Sequence, residues 1–324
     1  MKPVAKIMAL ELEPKEEAAR VRPILQPILD EELPMLARQA AGSDLVAKYD
    51  AVLVDEGQDY LPLWWNALRE VCTPSGERLL VADATQDVYG TARRWTEEAM
   101  TDAGFRGGRW AELEVSYRMP TDAIKMTQHL AEAFLPSHTR DLPGQDQGSL
   151  ELFPCELQWV QCGEQDALRE SVDAVLAMLE KTGRDGVANA DITFLADDID
   201  FGREVVDDLE DVFGVRCAHT FEKEKVKQTR RKMAFYLGDA RIKATTLHSF
   251  KGWETRMLVM YVRRAIGREG LAAIYAGLTR LKRSQHGSHL TVVCSAPELA
   301  NFGATWSQGK PARNSTTGQH TQAQ

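Results

Sequence analysis

Residues 51–60 read AVLVDEGQDY: four apolar residues, then Asp55 and Glu56, then Gln58 and Asp59. A short apolar run closed by polar turn residues is the pattern of a buried strand. In an open parallel sheet, ligands gather outside the carboxyl ends of the strands. Two adjacent carboxylates at such an end can divide their labour. One holds a Mg²⁺, and the other accepts a proton from, or orients, an attacking water. The same pair also suits a plain helix start, where acids are favoured by the dipole. A second apolar run, LLVADATQDVYG at 79–90, delivers Asp83, then Gln86 and Tyr89. A glutamine there orients water or reads a phosphate oxygen without adding negative charge. Two consecutive strands ending in an acid and then Gln would be an odd coincidence for plain turns.

Outward from these strands the rhythm is α/β. A helical pattern over 14–41 is interrupted by Pro23, Pro27 and Pro34, which must break or kink it. A Trp-rich helix, LPLWWNALREVC, lies between the two strands; residues 91–105 read as a helix and AELEVSY as a strand. A helix at 121–135 leads to the polar loop SHTRDLPGQDQGS. Beyond it come a strand near 151, a helix at 165–181, the strand DITFLA, a helix at 201–213 and a strand near Cys217. The segments IKATTLH and MLVMYV, the helix GLAAIYAGLTRLKR and the strand LTVVCS follow. Strands alternating with helices of this length build parallel sheets covered by helices. The tail from about Ser307 is polar and unpatterned and is expected to be disordered.

Composition narrows the class. At 324 residues and 44% hydrophobic, the chain can build two domain-sized cores. No stretch suits a signal peptide or a membrane span, and Cys72, Cys155, Cys162, Cys217 and Cys294 are scattered rather than spaced as metal ligands. A soluble, cytoplasmic protein with reduced thiols is expected. The net charge of −9 argues against a protein that coats duplex DNA through a broad basic face. One dense basic run, KEKVKQTRRK at 223–232, reads either as a solvated helix face or as a nucleic-acid contact. Trp64, Trp65 and Trp159, at irregular spacing, read as packing residues.

The residues also carry a resemblance. VDEGQD resembles motif II of the UvrD/Rep-type superfamily 1 DNA helicases, and VADATQDVY resembles motif III. VSYRMP, ATTLHSFKGWE and IYAGLTRLK resemble motifs IV, V and VI, and the five fall in the family's order across residues 51–283. The resemblance implies two RecA-like lobes of parallel sheet flanked by helices, with ATP and Mg²⁺ in the cleft and single-stranded DNA across both lobes. It divides the chain into a partial first lobe at 1–118, a second lobe at 119–305 and a tail at 306–324.

It also assigns roles. Asp55 would hold Mg²⁺ and Glu56 would activate the hydrolytic water. Gln58 and Gln86 would sense the γ-phosphate, and Arg118 would reach the same group. Arg280 would be the arginine finger of the second lobe. Gly252 would permit close backbone approach, and Glu254 would accept from the ribose hydroxyl. Tyr89, Thr246 and His248 would line the DNA path. Guanidinium groups suit the phosphate positions because they are permanently charged and bidentate. DNA translocation implies backbone contacts plus base stacking, and the resemblance implies 3′-to-5′ polarity.

The chain departs from the family in four ways. It contains no G-x-x-x-x-G-K-[S/T], the loop that cradles the β- and γ-phosphates. The first lobe is therefore expected to be incomplete, with an upstream segment, on this chain or a partner, supplying the loop. Motif III begins Ala82-Asp83 rather than Gly-Asp, and Thr91 and Ala92 stand where the family commonly has an aromatic and an arginine; Trp95 could substitute. The accessory insertion between motifs IV and V is expected to be absent or minimal. Three functions are open: an ATP-dependent helicase or translocase, a catalytically inactive remnant that binds DNA or protein, and a Mg²⁺-dependent nuclease, which lacks a nearby catalytic lysine strand.

Overall fold

The computed structural model describes residues 23–83, 91, 94–105, 111, 116–135, 154–183, 187–236, 238–265 and 267–306. The chain divides into two compact units, Met1–Glu112 and Leu113–Gln324. Gln86 and Tyr89, the strand expected over most of 111–117, the loop 137–149 and the tail from 307 lie outside the described residues.

The first unit is a parallel pair, β1 (Tyr49–Val54) and β2 (Cys72–Leu80), joined through the helix Pro62–Arg69. Leu53 pairs with Leu79 and Val54 with Leu80. Because side chains alternate across a strand, the two pairs face opposite ways. Val54 and Leu80 join Trp65 and Ala103 in the core, whereas Leu53 is 67% and Leu79 52% exposed. Near the strand starts the register jumps, from Tyr49 against Cys72 to Ala51 against Glu77. The extra residues fold tightly at Gly76, where a Cβ would meet the Cys72 sulfur at 2.5 Å.

The prolines upstream do not break the helix they occupy. Residues 23–41 stay helical because Ile28–Glu32 opens into a π-turn, in which the Leu33 amide bonds back to Ile28. Pro34 would collide with the carbonyl four residues back in regular α-helix, and the wider turn lies across that position, Asp30. The helix expected over 91–105 is shorter, Glu97–Asp102. Thr96 caps its start by accepting from the Ala99 amide, and Gly104, at φ +82°, follows its end.

The second unit is a six-stranded sheet in the order β3-β8-β7-β4-β6-β5, every pairing parallel. Its strands are β3 (Cys155–Gln161), β4 (Ile192–Ala196), β5 (Cys217–His219), β6 (Ile242–Thr246), β7 (Met257–Val262) and β8 (Ser288–Cys294). The central strands are apolar on both faces, as helix-covered parallel strands must be. In β7, Met257, Val259 and Tyr261 enter one core, and Leu258, Met260 and Val262 enter the other. The first core lies under the helices Ala167–Leu179 and Ile199–Asp211, the second under Thr121–Phe134 and Gly267–Leu278. Trp65 and Trp159 are buried, whereas Trp64 lies at the surface.

Gly202 sets how closely the helix Ile199–Asp211 approaches. A Cβ there would sit 2.3 Å from a ring carbon of Phe221, itself fully buried beside Phe194. Gly202→Ala is expected to cost about 1–3 kcal/mol by overpacking. In chemical unfolding of the full chain, Phe221→Leu should recover part of that loss; additive effects would mean the ring is not the obstacle.

Candidate functional site

In the first unit the strand-end carboxylates sit in a constrained turn. Glu56 has φ +54°, the only positive value at a non-glycine among the described residues. Left-handed backbone costs roughly 1–2 kcal/mol for an L-residue, so local contacts must hold it. Asp55 Oδ1 accepts from the Glu56 amide at 2.8 Å. The Gly57 amide donates to the Val81 carbonyl at 2.7 Å, and a Cβ on Gly57 would come within 2.6 Å of Leu80. Glycine is therefore the residue that lets the turn lie against the end of β2.

Gln58 completes the arrangement. Its Nε2 donates to Glu56 Oε2 at 2.6 Å, and its Oε1 accepts from the Asp83 amide at 2.9 Å. Thr91 donates its hydroxyl to the Gln58 carbonyl. The side chain is 1% exposed. Gln58 thus clamps the Glu56 carboxylate to the end of the neighbouring strand and positions it. Asp55 stays exposed. No group of three or more His, Cys, Asp or Glu able to hold a metal occurs among the described residues. That donor set fits Mg²⁺ all the same, since Mg²⁺ is commonly held by one or two carboxylates with phosphate oxygens and waters as its other ligands. Trp95 donates its indole N–H to the Tyr60 carbonyl at 2.9 Å and packs on the first-unit core, so its ring is engaged within the fold.

In the second unit, residues far apart in sequence meet. Arg118 Nη2 donates to the Thr279 carbonyl at 3.4 Å, and Arg118 Nε lies 4.0 Å from Glu254 Oε2. The Arg283 amide donates to the Arg118 carbonyl at 2.7 Å. The Thr255 amide donates to the Arg280 carbonyl at 2.9 Å, tying the Glu254 loop to the segment after Gly267–Leu278. Gly277 lets the helix lie close against Leu247 and β7, because a Cβ there would strike Leu247 at 2.6 Å and Met260 at 2.7 Å.

Arg280 was expected on the helix. The helix ends at Leu278, and Arg280 lies in the turn that follows, its amide bonded to the Gly277 carbonyl. Arg280 is 2% exposed; its Nε donates to the Ala276 carbonyl at 2.9 Å and Nη2 to the Thr279 hydroxyl at 3.0 Å. A cation suits that spot, because the last helical carbonyls lack intrahelical donors and carry the negative end of the dipole.

Thr246 ends β6, and its hydroxyl donates to Ser249 Oγ at 3.0 Å while accepting the Ser249 amide. The exposed His248 follows in a 3₁₀ turn, His248–Phe250. Gly252 has φ +82° and open space where a Cβ would point, so backbone conformation, not crowding, calls for glycine. At the end of β4, Asp197 Oδ2 accepts the Arg263 amide at 2.8 Å and the Arg264 amide at 3.3 Å. Burial raises its carboxyl above the usual range against the opposing pull of those amides. Sequence reasoning missed the clamp role of Gln58, the spacing role of Gly277 and the carbonyl of Thr279. Gly277, inside an apolar helix, was the one with a visible signal.

No family model matches the chain, and no curated protein matches it. Among solved structures, it is similar to the C-terminal domain of a possible DNA helicase from Lactobacillus plantarum WCFS1. The likeness is 11% identical, covers 58% of this chain and 94% of that one, and has a TM-score of 0.36. No helix among the described residues is long and apolar enough to cross a membrane.

Proposed function

We propose that the chain is part of an ATP-dependent translocase or helicase of the UvrD-like kind, coupling hydrolysis to movement on single-stranded DNA. The observation that carries this reading is the meeting of Arg118, Glu254, Thr279 and Arg283 in the second unit. Three segments that resemble successive helicase motifs converge there. A cation and a carboxylate at 4.0 Å, both part-exposed, form a polar centre able to face a nucleotide. In this proposal, bound ATP·Mg²⁺ supplies the phosphoryl group and its charge neutralisation. Asp55 would hold the metal and Glu56 would take a proton from water, with Gln58 holding Glu56 in place. Arg118 and Arg280 would meet phosphate charge.

The phosphate loop comes from a further segment, in cis or in trans. The exposed Leu53–Leu79 pair supports that requirement, because parallel strands are normally covered on both faces. The absence of the loop from these residues equally supports a second reading, an inactive remnant that binds DNA or protein.

The test is ATP hydrolysis with and without single-stranded DNA, once a phosphate-loop segment is supplied. DNA-stimulated turnover is expected, with Arg118→Ala losing the stimulation while DNA binding persists. DNA binding without turnover in that reconstituted protein would favour the remnant. Turnover undiminished in Arg118→Ala would remove the arginine from the mechanism.

A further inference from the structure

Most of the basic run at 223–232 folds as the helix Lys225–Ala234. Between 223 and 232 six cations face one acid, Glu224, in a chain of net charge −9. A local excess of this size against an acidic whole draws polyanions to one place.

The helix is held by polar contacts. Arg231 Nη1 lies 2.7 Å from His219 Nε2, and Arg203 Nη1 lies 3.3 Å from the same nitrogen. A ring nitrogen facing two guanidiniums must accept, so the imidazole is neutral with its proton on Nδ1. His219 belongs to β5, the edge strand, and the helix is thereby pinned to the sheet's margin. The opposite face is open. Val226, Arg230 and Met233, spaced at i, i+4 and i+7, form one exposed stripe. Val226 is 58%, Met233 82% and the following Tyr236 58% exposed. Lys227 pairs with Glu224 at 2.6 Å, Lys223 with Asp200 at 2.6 Å, and Arg231 lies 3.7 Å from Glu222, whereas the exposed Arg230 and Lys232 have no acidic partner among the described residues.

We infer that this helix and Tyr236 form a further contact for single-stranded nucleic acid, in addition to the one proposed for Thr246 and His248. Cations gripping phosphates beside an exposed aromatic make a sequence-tolerant site for a strand. The charge complementarity stands on its own; only the choice of a single strand rests on the translocase reading.

The experiment is fluorescence anisotropy of the full chain with a labelled oligothymidylate, titrated across salt. Removing three phosphate contacts in the variant Lys227→Gln/Arg230→Gln/Lys232→Gln should lower the salt slope by about 2. Its affinity at low salt should fall about tenfold or more. Tyr236→Ala should raise Kd about tenfold with the slope unchanged. These side chains are exposed, and circular dichroism checks that the variants fold. A triple variant with wild-type slope and affinity overturns the proposal, as does a wild-type chain that does not bind. Polyglutamate captured as tightly as the oligonucleotide, with Tyr236→Ala silent, would assign the face to an acidic polypeptide instead. Loss of binding in Thr246→Ala/His248→Ala with a silent triple variant would overturn only this second contact and leave the translocase reading in place.

Discussion

Glu56→Gln, in a preparation with the phosphate loop supplied, is expected to lower DNA-stimulated ATP turnover by about 10²–10⁴-fold, the usual contribution of a positioned base. The substitution keeps the shape of the side chain. Its amide oxygen can still accept from Gln58, now 2.6 Å from Glu56 Oε2, so the clamp survives and stability should change little. Only the ability to take a proton is lost. Two companions separate chemistry from backbone strain. Glu56→Ala keeps the left-handed conformation at φ +54° without the carboxylate, whereas Glu56→Gly relieves it. Both should be inactive, and the glycine variant should be the more stable by about 1 kcal/mol. Measured turnover of Glu56→Gln within a few fold of wild type would take Glu56 out of the proton-transfer role. A glycine variant no more stable than alanine would mean the turn stores no strain.

Acidification should weaken the second unit through His219. Burial first, then the facing guanidiniums of Arg231 and Arg203, lower its pKa from 6.5 to about 4; Glu210 and Asp207 oppose them weakly. Between those values the unfolded chain binds a proton that the folded chain refuses. Stability from this group is therefore complete above the unfolded value and is lost as pH falls toward the folded one. A gap of this size is worth about 3 kcal/mol. The physical event is local: a charged imidazole cannot accept from Arg231, so the basic helix loses its anchor on β5. Urea unfolding of wild type and His219→Gln at near-neutral and acidic pH measures it. The glutamine offers a carbonyl acceptor that does not titrate, so its pH dependence should be flatter by most of that amount. Identical pH profiles for the two proteins would show that His219 is not the titrating group.

Much of the fold was legible because burial imposes periodicity. The apolar run of β7 and the flanking runs of β4 and β8 had to be strands covered on both faces. The helix expected at 165–181 is Ala167–Leu179, and that at 201–213 is Ile199–Asp211. Less was legible where the cause lies in another segment. Three prolines in one helical pattern suggested a break, because the π-turn that absorbs them follows from backbone geometry rather than residue type. At the candidate site, Asp55 and Glu56 announced themselves by following an apolar run. Gln58 gave no sign that both ends of its amide would be taken by Glu56 and Asp83.

The sequence by itself determined the alternation of strands and helices, the placement of carboxylates at strand ends and the order of the motif-like segments. These follow from which residues can be buried and which must stay wet, a property of local pattern. The tertiary structure alone decided the strand order, the burial of Arg280 against its helix end, the meeting of Arg118 with Glu254 and Thr279, and the anchoring of a basic helix on a neutral histidine. Each of these depends on which distant groups fill a given side chain's hydrogen bonds. That partnership is set by packing across the sheet, and no spacing along the chain encodes it.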